Sequence, residues 1–485
     1  MPVTVTVDHA AALPEASDDA LVVAGVRAGS LSEDAPGLDE ALAEASGFTG
    51  EVGQTLVADT DAGLRLLVGL GAEPDAAAFR RAGAAAAKTA RRTAIVVDAL
   101  GSTDGAARTA AADALAQGLV LGTYRFGAYK AAPEGPRPEA ITVVGKGGKR
   151  TAEAVARGVA VAEAIVLVRD LVNTPGGDLT PAAFADRAVD VATGAGLDVE
   201  VMGPEEIREA ELGGLLGVNR GSAQEPRFVT ITHRPGGTPR GRIALVGKGV
   251  TFDAGGLSIK TSAGMEWMKT DMAGAATVLG AMALVPLVAP KLEVTAYLPL
   301  TDNMLGGDAT RVGDVLRARN GTTIEVLNTD AEGRLILADA LSLAAESEPD
   351  AIVDLATLTG ACMVALGDRT AGVMANRDAL RDRVLEAADA ESEAMWPLPL
   401  PDHLRTTLDS EVADLRNIGT GPYGGALVAG IFLREFVADV PWVHLDIAGP
   451  SNTTAARDEL AKGGTGFGVR TLAALLAGWT RLPAD

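Results

Sequence analysis

Short, continuous apolar runs that each stop in a polar cluster set the strongest limit on how this chain can fold. "RIALVG" (242–247) runs into Lys248, and "EVTAYLPL" (293–300) into Thr301 and Asp302. "TTIEVL" (322–327) precedes Asn328, Thr329 and Asp330, "AIVDLA" (351–356) precedes Thr357, and "PWVHLD" (441–446) precedes Ile447, Ala448 and Gly449. A strand with one wet face alternates polar and apolar residues, so runs without alternation call for cover on both faces. Helical patterns separate several of the runs, which predicts parallel sheet layered with helices. Ligands bind such sheets beyond the carboxyl ends of the strands, where the polar clusters fall.

The first half carries the same alternation. "VTVTV" (3–7), "ALVVAGV" (20–26), "LRLLVGL" (64–70), "TAIVVDAL" (93–100) and "ITVVG" (141–145) read as strands. Residues 79–92 and 104–126 read as helices, and 151–175 as a long helix stopped by Asn-Thr-Pro. A chain of 485 residues is too long for one core. The prediction is an α/β protein of two domains, each a mostly parallel sheet covered by helices on both faces. Residues 1–165 are expected to form one domain and residues 166–485 the larger second one. The boundary falls within the long helix.

Composition removes several classes of function. A net charge of −22 opposes non-specific nucleic-acid binding and attachment to anionic membranes. Residues 1–165 alone hold 15 Lys and Arg against 21 Asp and Glu, a net of −6. The single cysteine, Cys362, excludes an intrachain disulfide and a cysteine-rich zinc site. "MPVTVTVDHA" lacks the basic and apolar regions of a signal peptide. "AMALVPLVAP" (281–290) is too short to span a bilayer. The expectation is a reduced, cytoplasmic setting without membrane contact. With only His9, His233, His403 and His444, a metal site must rest mainly on oxygen ligands.

Acidic residues gather at the strand ends. "NTDAEGRL" (328–335) packs Asp330, Glu332 and Arg334 into five positions. "VGKGVTFDAGGLSIKT" (246–261) offers Lys248, Asp253 and Lys260, and "MEWMKTDMAGAATVLGAM" (265–282) offers Asp271. Residues i and i+2 diverge on a helix but share a side on an extended segment. Asp330 and Glu332, following a predicted strand, are therefore expected to face one site. Asp271 has a plainer use as the N-cap of a helix beginning near Met272, and Gly255-Gly256 could be a simple turn. Four converging carboxylates repel unless cations neutralise them. Two divalent ions would do so, but so would Lys248, Lys260, Lys269 and Arg334.

"NTDAEGRL" resembles, over all eight residues, the signature of the leucyl aminopeptidases, the cytosol aminopeptidase family of two-metal exopeptidases. The likeness continues in "VGKGVTFDAGGLSIK", "MKTDMAGAATV", "DLATLTGA", "WPLPL", "WVHLDIAGP" and "KGGTGFGVRTL", over roughly residues 170–475. Ala254, Thr261 and Ala273 stand where the family often has Ser, Pro and Gly. The resemblance implies two divalent ions per chain, Mn²⁺ or Zn²⁺ foremost, held by Lys248, Asp253, Asp271, Asp330 and Glu332, with Asp253 and Glu332 bridging. It implies that Lys260 polarises the scissile carbonyl and stabilises the oxyanion, and that Arg334 holds a bicarbonate acting as general base. Met268, Thr357, Leu358, Gly360 and Ala448 would line the pocket for the substrate's first side chain. The implied substrates are peptides with a free N-terminus, and the implied assembly is a homohexamer, a dimer of trimers.

Plainer readings accompany the others. Lys260 could be a surface lysine, and Met268 and Leu358 simple core residues. Cys362 reads as a small buried hydrophobe, His444 as a structural hydrogen-bonder, and "GKGGKR" (145–150) as a loop without P-loop spacing. Two alternative functions stand beside the aminopeptidase: another two-metal hydrolase such as a phosphoesterase, and a DNA-binding accessory role of the N-terminal domain. The scarcity of histidine opposes the first and the acidic N-terminal domain the second.

Overall fold

The computed structural model describes residues 5–13, 20–101, 103–131 and 136–483. The chain forms two compact units: Met1–Val166 with Ala455–Lys462, and Leu167–Thr454 with Gly463–Asp485. The division lies inside the helix Lys149–Asn173. A segment of the second half, Ala455–Lys462, thus belongs to the first unit, which no local pattern announced.

The first unit holds a six-stranded sheet, ordered Thr6–Ala10, Ala140–Val144, Ala94–Asp98, Ala20–Arg27, Gly63–Gly71 and Thr55–Thr60. Every pair is parallel except the last, which is a hairpin. Helix Ala76–Thr89 starts three residues earlier than its apolar pattern suggests, because Asp75 Oδ1 accepts the Ala78 N–H at 2.7 Å. Residues 3 and 4 of the predicted first strand lie outside the described residues.

The second unit is built on a nine-stranded mixed sheet. Its centre is the parallel run Trp442–Asp446, Ala351–Ala356, Arg242–Gly247 and Glu293–Asn303. Antiparallel partners flank it: Ala371–Ala375 on one side, and Arg227–His233 followed by Asp198–Met202 on the other. Helix Gly333–Glu346 buries Leu335, Ile336 and Leu337 in one core cluster with Ala244, Val246, Ile352 and Trp442 of the central strands. Helix Ala273–Val288 is buried along almost its whole length. The helical stretch Ser262–Val288 is long and apolar enough to cross a bilayer, but 78% of its most apolar part is buried inside the protein, as in a core helix.

One predicted strand is misplaced. Only Thr323–Glu325 of residues 322–327 is extended, and it pairs with Val315–Arg317 and Leu415–Arg416 in a small side sheet. Three residues between tight turns contribute too few ladder bonds to join the central sheet, so "NTDAEGRL" does not follow a central strand.

Candidate active site

Lys248 leaves the carboxyl end of Arg242–Gly247. The next strand, Gly249–Asp253, pairs with the far end of Glu293–Asn303, and an irregularity after Val250 brings Asp253 opposite Asn303. Asp253 Oδ1 accepts the Asn303 amide at 2.8 Å and the Gly255 N–H at 2.9 Å, while Oδ2 pairs with Lys260 Nζ at 2.7 Å. Gly255 and Gly256 take φ of 87° and 60°, the left-handed region that favours glycine. They also clear space: a Cβ on Gly255 would stand 2.9 Å from Asp330 Oδ1, and one on Gly256 2.8 Å from Asn303 Oδ1. The pair is therefore more than a turn.

Asp271 is not a helix cap. It closes the 3-10 turn Met268–Thr270, and the long helix begins at Ala273 with no side-chain cap. Asp271 Oδ1 instead accepts Lys248 Nζ at 2.8 Å and the Thr357 hydroxyl at 2.8 Å. Its Oδ2 is buried without a hydrogen-bond partner among the described residues.

Asp330 and Glu332 converge by a different route from the extended one expected. Asn328 Oδ1 accepts the Asp330 N–H at 2.9 Å, which tightens a turn. Glu332 has helical dihedrals (φ −81°, ψ −37°) and Gly333 opens the helix. Turn and helix start together aim both carboxylates inward. One oxygen from each of Asp253, Asp330 and Glu332 lies within 4.8 Å of the others. Glu332 Oε1 also stands 2.8 Å from Lys248 Nζ, and Asp330 pairs with Lys260. Gly333 leaves room for this: a Cβ there would sit 2.4 Å from Lys248 Cε and 2.7 Å from its Nζ.

Burial and mutual repulsion govern the protonation of this cluster. Burial, then the Glu332 charge, pushes Asp253 up to about 7, against the pull of Lys260 and Lys248. Burial likewise raises Asp271, well above the usual carboxylate range, and Asp330. Burial would raise Glu332 too, but Lys248 outweighs it and holds that carboxyl below its usual value. Burial opposes the charge on both lysines, yet Asp271 and Glu332 hold the Lys248 pKa above normal, and Asp253 does the same for Lys260. Two ammonium groups thus face four carboxylates, and the orphaned Asp271 Oδ2 still lacks a donor. An all-oxygen donor set with one amine, short of positive charge, suits hard or borderline divalent cations.

Of the other predicted residues, Thr357 is joined to this cluster by hydrogen bonds, through its hydroxyl on Asp271 and its carbonyl, which accepts Lys248 Nζ at 2.9 Å. Leu358 is half-buried against the core, Gly360 is exposed, and Met268 and Ala448 are half-buried. Arg334 is buried, with Nη1 donating to the Asn417 carbonyl at 2.8 Å, and burial pushes its pKa down to about 10. Lys269 is not a compensator, since its Nζ donates to the Asn173 carbonyl at 2.7 Å. Cys362 is buried, and burial pushes its thiol up to about 12, which leaves it unreactive. His444 lies mid-strand and fully buried, with Nδ1 2.6 Å from Asp354 Oδ1. Burial opposes its positive charge, but Asp354 raises the imidazole pKa overall.

Sequence reasoning missed the supports. Asn303 joins Asp253 to the Thr329 carbonyl at 2.9 Å, and Thr329 Oγ1 accepts the Ser258 N–H at 2.8 Å while donating to the Gly255 carbonyl at 2.7 Å. The glycine loop and the "NTDAEGRL" turn are thus laced together. The only sequence signal for Asn303 was its place in the polar cluster that ends 293–300.

Strand-end carboxylates and paired lysines on an α/β scaffold fit a divalent-metal site, and comparison supplies the class. The model of the "Cytosol aminopeptidase family, catalytic domain" matches residues 166–473, and that of the N-terminal domain of the same family residues 16–133. A probable cytosol aminopeptidase of Streptomyces coelicolor is 43% identical over 95% of this chain and 96% of its own. Among solved structures, the bottromycin maturation enzyme BotP in complex with Mn superposes with a TM-score of 0.86 at 41% identity, covering 95% of this chain and 99% of BotP. A tomato leucine aminopeptidase mutant gives 0.86 at 33%, covering 98% and 96%. The chain belongs to the cytosol aminopeptidase family, metal-dependent hydrolases that release N-terminal residues from peptides.

Proposed function

We propose that this enzyme is a leucyl aminopeptidase that prefers leucine and other apolar N-terminal residues and serves peptide turnover in the cytoplasm. The observation that carries the reading is the convergence of Asp253, Asp330 and Glu332 on one point, with Asp271 and Lys248 beside them. Lys248, Asp253, Asp271, Asp330 and Glu332 would hold two divalent cations. Manganese, named for the BotP structure, and zinc are the foremost candidates. When bound, such ions would supply acidified water and electrophilic polarisation of the scissile carbonyl.

The chain's own groups do the rest. Lys260 reaches the cluster from the glycine loop with its charge secured by Asp253 and Asp330. It would stabilise the negative charge that grows on the carbonyl oxygen in the transition state. Arg334, whose Nε is buried without a hydrogen-bond partner among the described residues, would hold a bicarbonate, which would supply the general base. Met268, Thr357, Leu358, Gly360 and Ala448 would form the pocket for the first side chain. Assembly as a homohexamer completes the proposal, with residues 1–165 contributing contacts or regulation.

The test is hydrolysis of leucine p-nitroanilide by chelated enzyme, with separate Mn²⁺, Zn²⁺, Co²⁺ and Mg²⁺ add-backs. Activity should vanish on chelation and return with divalent metal. Full activity in verified metal-free protein would overturn the reading.

A further inference from the structure

Asp446 ends the strand Trp442–Asp446 and is fully buried. Both of its carboxylate oxygens are engaged. Oδ1 accepts the Leu358 N–H at 3.3 Å and the Ala448 N–H at 3.2 Å, and Oδ2 accepts the Thr359 hydroxyl at 2.7 Å. Thr359 Oγ1 in turn accepts the Cys362 N–H at 3.0 Å and so fixes the start of helix Gly360–Leu366. The donors come from two loops, one after Ala351–Ala356 and one after Trp442–Asp446. These strands are parallel neighbours with Ala356 opposite Asp446. The ladder holds the loops at their roots, where the Ala356 carbonyl accepts the Ile447 N–H at 2.9 Å. Beyond that point one carboxylate joins them.

We infer that Asp446 is a positioning residue for side-chain selection, clamping the Leu358 and Ala448 backbones at the fixed spacing that the substrate's first side chain meets. This rests on the reading that Leu358, Gly360 and Ala448 line that pocket. The physical reason is that apolar pockets discriminate weakly. One methylene gives about 10–200-fold, and a wall that moves forfeits part of it. No side chain in the pocket carries charge, so selection depends on wall spacing. Asn at 446 keeps the clamp, because its carbonyl can accept both N–H groups while its amide donates to the Thr359 hydroxyl. Ala removes it.

The experiment compares wild type, Asp446→Ala and Asp446→Asn as full-length, Mn²⁺-loaded enzymes. Three quantities are read: kcat/KM for leucine and for alanine p-nitroanilide, metal content, and hydrogen exchange over 357–366 and 447–450. In Asp446→Ala the leucine-to-alanine ratio should fall about tenfold, mainly through KM for leucine, with metal content unchanged. Exchange should quicken in both segments and not elsewhere. Asp446→Asn should stay within about twofold of wild type in the ratio. Unchanged exchange in Asp446→Ala would overturn the clamp, and quickened exchange with an unchanged ratio would overturn its role in selection. If Asp446→Ala fails to fold, Asp446→Ser is read in its place: one short hydroxyl cannot replace the two-oxygen carboxylate that holds both loops, so the same fall in the ratio supports the inference and no fall refutes it. A wild type inactive on both substrates would sink the proposed function, while the exchange data would still decide the clamp.

Discussion

Gly333→Ala separates folding from metal binding. Gly333 is the first residue of helix Gly333–Glu346 and has no left-handed backbone to protect. In a helix interior, alanine is favoured over glycine by about 0.8–1.0 kcal/mol, and at the first turn the gain is smaller. The new methyl, however, would sit 2.4 Å from Lys248 Cε and 2.7 Å from Cδ and Nζ. Lys248 cannot swing aside freely, because Asp271, Glu332 and the Thr357 carbonyl hold its Nζ within 2.9 Å. Overpacking of this kind costs about 1–3 kcal/mol and the helix-propensity gain offsets only a fraction of it, so the metal-free variant should lose less than about 3 kcal/mol. The metal site should suffer far more, since the methyl pushes a proposed ligand off its position. Loss of outer support alone costs about 10–100-fold in metal affinity, and displacement of a ligand should reach at least the upper end. The assay is metal titration of chelated protein by calorimetry, beside thermal unfolding of the same metal-free samples. A Gly333→Ala protein that binds both metals with wild-type affinity would refute the argument that this glycine exists to make room for Lys248.

Four further outcomes are expected. Lys248→Arg keeps the charge but is effectively never deprotonated, so one metal should be lost and activity should collapse; two tightly bound metals by elemental analysis would refute Lys248 as a ligand. Lys260→Ala should lower kcat about 10²–10³-fold with a smaller change in KM, and normal kcat would remove it from the mechanism. N-acetyl-leucyl peptides should be refused, and rates equal to those of free leucyl peptides would point to an endopeptidase or amidase. Metal uptake should release protons and strengthen with pH: Asp253 titrates near 7 without metal, and Lys248 is raised above its ordinary value, so protons compete with the cation below those values. Affinity independent of pH between 6 and 8 would contradict that competition.

The central strands were legible because their period is unambiguous. Residues 242–247, 351–356 and 442–446 are buried on both sides, and no amphipathic helix carries such runs. "TTIEVL" was read with them, yet only three of its residues are extended, in a side sheet, because pairing depends on partners distant in sequence. The functional residues were readable through their chemistry, but their geometry was not. Asp330 and Glu332 were expected to converge by extended alternation, and they converge through an Asn328-stabilised turn and a helix start. Asp271 was a plausible cap by local rule, and its carboxylate is turned instead toward Lys248 and Thr357. For Asp271 a long-range electrostatic demand won over a local capping preference worth about 1 kcal/mol, whereas for Asp330 and Glu332 a local turn replaced the expected extension. Asn303, Thr359 and Asp446 escaped notice for the complementary reason. They are uncharged or lone polar residues whose meaning lies in which loops they join. A single sequence shows charge that must be neutralised, but not the hydrogen bonds that aim it. On the proposals above, those bonds would fix the spacing for metal binding and side-chain choice, so the mutations that best test this enzyme are the ones at Gly333 and Asp446, where local rules predict little effect.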